Sequence, residues 1–351
     1  MTSLLLETSE FAVARVSAHR RTRQRRRRVV VGALAAAVLL AYVLSLMVGQ
    51  TFYGPDIVLR VLLGETVPGA LFTIGELRLP RASLGLLAGV CFGIAGITFQ
   101  TLLRNPLASP DIIGISQGAA AAAVVGIVVL SLGDTLVSAI ALVAALLTAL
   151  TIYLLSDRRG FAGTRLILIG IGIDALLRSI TSYLLSRASE WDLAAAMQWL
   201  TGSLNGATWA TVWPVALACA VVVPLLLARS RDLGALSLGD DVAASLGVAV
   251  RPARLVLVVG AVALLAFATA ACGPIAFVAF MAGPIAARVV GTGGSLLVPA
   301  ALVGALLVLL ADLAGQNLFE NRYPVGVVTG ALGAPFLLYL LVRTNRSGGS
   351  L

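Results

Sequence analysis

The stretch that decides the fold runs from residue 78 to residue 110 and reads RLPRASLGLLAGVCFGIAGITFQTLLRNPLASP. Between Arg81 and Arg104 it carries no charged side chain. A helix crossing the hydrocarbon of a bilayer needs about 20 mostly apolar residues, and Ala82–Leu103 supplies them. Pro80 suits the first turn of that helix. Asn105-Pro106 ends it, and another apolar run begins almost at once, which makes a tight turn back into the membrane. Arg78 and Arg81 have stems long enough to hold their charges at an interface.

Runs of the same kind recur along the chain. They predict ten spans: Val29–Val48, Ala82–Leu103, Ile112–Leu132, Thr135–Leu155, Thr164–Leu185, Ala210–Leu227, Leu255–Ala271, Ile275–Val290, Leu296–Gly315 and Val325–Val342. The eighth is short and broken by Gly283 and Pro284. Composition agrees, because 59% of the 351 residues are hydrophobic, 12% are charged, and the mean hydropathy is +1.01. A soluble domain is about a quarter charged. The expectation is an all-α polytopic membrane protein, with residues 29–343 as its membrane domain.

All 25 basic residues are arginine. Without lysine there is no Walker A loop to hold nucleotide phosphates and no Schiff-base chemistry. The single histidine, His19, stands in the N-terminal segment. Cys91, Cys219 and Cys272 are isolated in apolar runs, where thiols act as small hydrophobes. A catalytic triad or a metal centre has almost nothing to be built from, and no cofactor is expected on this chain.

The net charge of +9 owes much to Arg20, Arg21, Arg23 and Arg25–Arg28, directly before the first span. A basic run in that position holds a segment on the cytoplasmic side and meets anionic lipid rather than nucleic acid. Residues 1–28 are thus read as a cytoplasmic tail, and Val29–Val48 as an uncleaved first span. With that start, and even leaving out the N-terminal run, cytoplasmic loops and the C-terminal end hold arginine over outer loops by about two to one. Ten spans return residues 344–351 to the cytoplasm. Two outer connections are long, residues 49–79 and 189–209, and Trp191, Trp199 and Trp209 suggest an interfacial helix in the second. Residues 229–254 form the longest polar stretch between spans, on the inner side.

Arg78-Leu79-Pro80-Arg81, about 20 apolar residues, then Gln100-Thr101-Leu102-Leu103-Arg104-Asn105-Pro106-Leu107-Ala108 with Pro110-Asp111 resembles the hallmark of the iron-siderophore and cobalamin ABC permeases, the FecCD type. Leu238-Gly239-Asp240-Asp241 through Ser245-Leu246-Gly247 is similar to that family's cytoplasmic segment. Gly273-Pro274-Ile275-Ala276-Phe277-Val278, Ala311-Asp312 and Tyr323-Pro324-Val325-Gly326 are similar to its later spans. The likeness covers about Val29 to Arg343.

The resemblance implies the permease fold of a type II ABC importer in a bacterial cytoplasmic membrane. It implies a second permease subunit, two ATPase subunits that hold ATP and Mg, and an extracytoplasmic binding protein. It implies a ferric siderophore as cargo, with haem or cobalamin as alternatives. Carried onto this chain, Arg78 and Arg81 would dock the binding protein, with Arg322 as a third charge where relatives use a position matching Gln316. Gly239, Asp240, Asp241, Ala244, Ser245, Leu246 and Gly247 would couple to the ATPase. Asn105 and Leu107, with Gly163 and Thr164, would form the cytoplasmic gate.

One feature stands without the family. Asp174 and Arg178 lie four residues apart near the middle of a span. Ionisable groups at that depth face a cavity or each other, so they either line a translocation path or neutralise one another against a neighbour. Rival classes are a stand-alone ion-coupled transporter, for which Asp174 and Asp312 are the candidate acids, and an intramembrane enzyme, which lacks reactive groups.

Overall fold

A computed structural model describes residues 2–110, 114–156, 163–291 and 293–346, and it is helical throughout those residues. Fourteen α-helices follow in order. They are α1 (Thr2–Met47), α2 (Pro55–Leu62), α3 (Leu79–Leu102), α4 (Ile115–Val124), α5 (Asp134–Ser156), α6 (Gly163–Leu185) and α7 (Glu190–Thr201). Then come α8 (Trp209–Ala228), α9 (Ser230–Leu236), α10 (Asp240–Ser245), α11 (Val250–Cys272), α12 (Val278–Val290), α13 (Leu297–Asn317) and α14 (Val325–Arg346). A π-helical turn, Leu71–Arg78, leads into α3, and another, Val125–Val129, extends α4. Among the described residues eight helices are long and apolar enough to cross a membrane, and the shorter Ile115–Val129 and Val278–Val290 occupy the third and eighth expected positions.

Lipid tails are as apolar as leucine, so helices in a bilayer associate through close packing and internal polar contacts rather than by escaping water. Here α3 is the hub. It is the most enclosed of the long helices and packs on α8, α11, α12 and α13. Small residues make this possible. Gly89 and Gly93 lie directly against the backbone of Gly304, Ala305 and Ala300 on antiparallel α13. A methyl group at Gly93 would collide with the Ala300 carbonyl, and one at Gly304 with the Gly89 carbonyl. Farther along α3, Gln100 Nε2 donates to the Phe280 carbonyl of α12 at 3.0 Å, pinning the short helix to the hub.

The ends of the bundle follow from these pairings. We call basal the end at which α1 carries its arginines, and apical the other. The Arg-rich segment is helical, and α1 runs unbroken from it into the first span. Arg27 donates to the carbonyl oxygens of Gly293 (2.7 Å) and Ser295, which ties the α12–α13 turn to the basal end of α1. The eighth span starts three residues later than expected. Gly273 (φ 71°) ends α11, and Phe277 takes a left-handed φ of 65° before α12 begins. The irregular backbone there is satisfied internally, as a non-aqueous setting requires. Ser203 N donates to the Cys272 carbonyl at 2.8 Å, and Gly326 N to the Gly202 carbonyl at 3.1 Å.

The hub makes a direct test available. Gly93→Ala forces a methyl into the α13 backbone, whereas Gly330, on α14, has open space around its Cα. Overpacking costs about 1–3 kcal/mol, so Gly93→Ala should lower the melting temperature of the purified chain in detergent. Gly330→Ala should leave it unchanged or slightly raised through helix propensity.

Candidate functional site

Three groups of side chains stand out, one at each end of the bundle and one on the exposed flank of α6. At the apical end a recess of about 420 Å³ is lined by Arg78, Arg81, Gln316, Asn317 and Arg322 among others. The three arginines singled out in the sequence therefore share one depression, although Arg322 stands in the α13–α14 connection. Their situations differ. Arg78 Nη1 donates to the carbonyls of Leu46 and Met47 at 2.9 and 2.8 Å, and Nη2 donates to Thr51 O at 2.6 Å. It thus caps the C-terminus of α1, where a cation meets orphaned carbonyls and the negative dipole end. Its guanidinium carbon also lies 5.1 Å from the Tyr53 ring centroid.

Arg81 grips Asp312 of α13 with both arms, Nε to Oδ2 at 2.8 Å and Nη2 to Oδ1 at 2.7 Å, while Nη1 reaches Asn205 Oδ1 at 2.8 Å. This fork-to-carboxylate geometry is the strong form of an ion pair. It clamps the apical ends of α3 and α13 beyond their glycine contact. Arg322 is exposed at the edge of the recess.

At the basal end a larger cavity of about 620 Å³ is lined by Arg104, Asn105, Gly239, Asp240, Asp241 and Arg254, with apolar neighbours. Asn105, expected at the gate, and Gly239, Asp240 and Asp241, expected to couple to an ATPase, thus face one space. Asp240 Oδ1 accepts from Arg254 Nη2 at 2.6 Å and from Arg104 Nη2 at 3.2 Å. The turn after α3 is tightly made. Arg104 has a φ of 51°, Asn105 Oδ1 accepts from Leu107 N at 2.9 Å, and Asn105 N donates to Gln100 O at 3.0 Å. Leu107 packs against the buried cluster of Phe280, Met281 and Leu340, which joins α12 and α14. Gly163 and Thr164 open α6, but their surroundings, like Asp111, Arg158 and Arg159, lie outside the described residues.

The segment around α10 rests on the bundle through Ala243, which is fully buried, while Asp241, Ala244, Ser245, Leu246 and Gly247 are exposed. Leu238, Val242 and Leu246 are also exposed, at successive intervals of four. Val242 and Leu246 lie one turn apart on α10 and its C-terminal cap, while Leu238 precedes the helix across Gly239 (φ 119°). Sequence reading missed the exposure of Leu238 and Val242; the four-residue spacing of Val242 and Leu246 could have marked the latter pair.

On α6, Arg178 Nε donates to Asp174 Oδ2 at 2.7 Å, within the helix. Asp174 Oδ1 is buried with no hydrogen-bond partner in the structure, and Asp174 packs against Gly114, where α4 begins. A helix N-terminus favours a carboxylate. The Arg178 side chain, by contrast, is 61% exposed in the middle of an apolar helix. Neither alternative from the sequence is complete: the two residues pair, yet one of them is open to its surroundings.

The FecCD transport family matches residues 37–343. The chain belongs to that family. It is 39% identical to the ferric enterobactin transport system permease protein of Escherichia coli (strain K12), over 89% of this chain and 95% of the relative. It is 38% identical to the achromobactin transport system permease protein of Dickeya dadantii (strain 3937), over 89% and 92%. It is 36% identical to the cobalamin import system permease protein of Halobacterium salinarum, over 76% and 73%. In structure it resembles a metal-chelate type ABC transporter solved in an inward-facing conformation, with a TM-score of 0.79, 26% identity, and coverage of 89% of this chain and 98% of that one. This FecCD chain is therefore a multi-pass membrane protein with the ABC-permease fold.

For the apical clamp, Asp312→Asn leaves Arg81 half-buried without its counter-charge. Breaking a fully buried pair costs about 3–5 kcal/mol; with Arg81 and Asp312 22% and 10% exposed, about 2 kcal/mol is expected after screening. Thermal unfolding should show the Arg81→Gln, Asp312→Asn double variant losing less than the sum of the two singles.

Proposed function

We propose that this chain is the membrane-spanning permease subunit of an ABC importer that carries a ferric siderophore across a bacterial cytoplasmic membrane. The observation that carries this reading is the pairing of an apical arginine recess with a basal coupling segment in a chain that has no nucleotide site. The siderophore names of relatives that match nearly the whole chain support the cargo. ATP hydrolysis, with its Mg, would belong to two separate ATPase subunits seated against the exposed Leu238, Val242 and Leu246. Exposed apolar side chains beside Asp241 and Ser245 suit a cleft on another protein.

On this reading the basal end is cytoplasmic, as the arginine bias of its loops predicts, and both termini lie there. The apical recess faces an extracytoplasmic binding protein. Arg322 offers its charge directly to an acidic surface. Arg81, already forked to Asp312, has the geometry to exchange that carboxylate for one on a partner, and Arg78 holds the rim in shape. The exposed flank of α6 would turn toward a second permease subunit, so that Asp174 and Arg178 border a shared, water-accessible path. An ion-coupled carrier acting alone would need a free acid at the midplane, and Asp312, one of the two acids available, is engaged by Arg81.

Uptake by a deletion strain complemented with this chain tests the reading. Radiolabelled iron should enter as a siderophore complex and stay outside in the uncomplemented strain. Entry restored for cobalamin or haem alone would reassign the cargo. Loss of both charges, in Asp174→Asn with Arg178→Gln, should reduce uptake about tenfold, a typical scale for disturbed site energetics. Unchanged uptake would remove the pair from the path.

A further inference from the structure

Gln100 is buried, and its side chain meets α12 where that helix is interrupted by a proline. In an α-helix the N–H of residue 284 would donate to the carbonyl of residue 280. Pro284 has no N–H, and a proline ring also pushes that carbonyl aside. The Phe280 carbonyl is therefore short of its helical donor, and Gln100 Nε2 donates to it at 3.0 Å. A carbonyl only accepts, so the amide nitrogen of Gln100 is the end that faces it. Gly283 completes the fit. A methyl group there would collide with Gln100 Oε1, so the missing side chain makes room for the carboxamide. Gly283 and Pro284, which read as a break in the eighth span, together receive one side chain of α3.

Such a bond matters more in a membrane than in water. Backbone groups freed by proline in a lipid-embedded helix need new partners, from neighbouring helices or other polar groups. A buried carbonyl left without a donor incurs its full desolvation penalty. Gln100 also holds the turn after α3, because its own carbonyl accepts from Asn105 N at 3.0 Å. Beyond Pro284, the basal half of α12 carries Arg288 in its last turn. The guanidinium carbon of Arg288 lies 4.8 Å from the Tyr339 ring centroid and 5.9 Å from that of Phe336, both on α14. An open cavity of about 290 Å³ lies beside the proline, lined by Gln100, Asn105, Pro106, Gly283, Pro284 and Ala287 among others. The basal half of α12 thus has a fastening at its proline and space next to it.

We propose that Gln100 takes the place of the amide that Pro284 lacks, and so fixes the position of the basal half of α12. It is a positioning residue, with no contact to cargo required of it. The side chain and backbone of this one residue tie two elements, so α12 and the Asn105 turn keep a common frame. The bearing of this joint on transport rests on the permease reading, in which Asn105 and Leu107 stand at the gate. There, a turn that moves takes with it the basal half of α12 and its arginine–aromatic contact to α14.

A double-variant cycle tests the joint on the purified chain in detergent, whatever the chain transports. Gln100→Met keeps the volume and removes the donor, and it should lower the melting temperature by about 2–4 °C. Pro284→Ala returns a helical N–H to the Phe280 carbonyl, so in that background the same exchange at Gln100 should cost far less. Equal losses in the two backgrounds would overturn the proposal. If Gln100→Met alone cannot be purified, recovery of a folded chain on adding Pro284→Ala supports the joint, and continued failure counts against it. The complete transporter, reconstituted with its ATPase and binding-protein subunits, gives the second readout. Well below its melting temperature, Gln100→Met should move about tenfold less cargo per ATP hydrolysed, the size of an ordinary coupling free energy between sites. Lost stability alone leaves that ratio unchanged. A ratio within twofold of the native one would overturn the positioning role. Failure of the unsubstituted chain to transport with any ATPase would instead reject the permease reading and leave the melting result standing.

Discussion

The close backbone approach of α3 to α13 is the constraint on which the rest of the structure depends. In lipid, two apolar helices gain little by touching unless their backbones come near enough for dense packing. Gly89, Gly93 and Gly304 remove the side chains that would keep them apart. Once that contact is set, the two ends of α3 have fixed addresses. Its first turn places Arg81 against Asp312, and its last turn carries Arg104 toward Asp240. The hub is thus a rod with an ion pair at each end, and both candidate functional surfaces are built around those ends.

Charge placement follows from the same setting. Few charged residues occur in the membrane domain, and those near the hub sit where water or a counter-charge can satisfy them. At the apical end the pairing is bidentate and half-buried. At the basal end one carboxylate serves two guanidiniums of unequal exposure. The apical end thus carries a bidentate clamp, and the basal end a cluster of unequally exposed contacts.

Much of this was legible in the sequence, and the parts that were not have a physical reason. The number and order of the spans follow from long apolar runs, since the bilayer fixes the length of an element. The exceptions are instructive. Composition marks the segment before Val29 as a tail but does not show that it is helical and continuous with the first span, where nothing breaks the hydrogen bonding. The start of α12 shifts because Phe277 adopts a left-handed backbone, which no periodicity reveals. Arg78 and Arg81 stood out as interfacial charges. Their internal partners did not, because Asp312 is 231 positions from Arg81 and the α1 carbonyls have no signature of their own. The Arg104–Asp240–Arg254 cluster was hidden in the same way, its members each noted without their shared oxygen.

A single measurement reaches the centre of this account: accumulation of a ferric siderophore inside liposomes that contain the chain, supplied with its binding protein. With the ATPase subunits and ATP enclosed, cargo should accumulate, and an ATPase unable to hydrolyse ATP should abolish accumulation. Uphill accumulation by the chain alone, driven by an ion gradient and indifferent to ATP, would contradict a conduit that takes its energy from a partner.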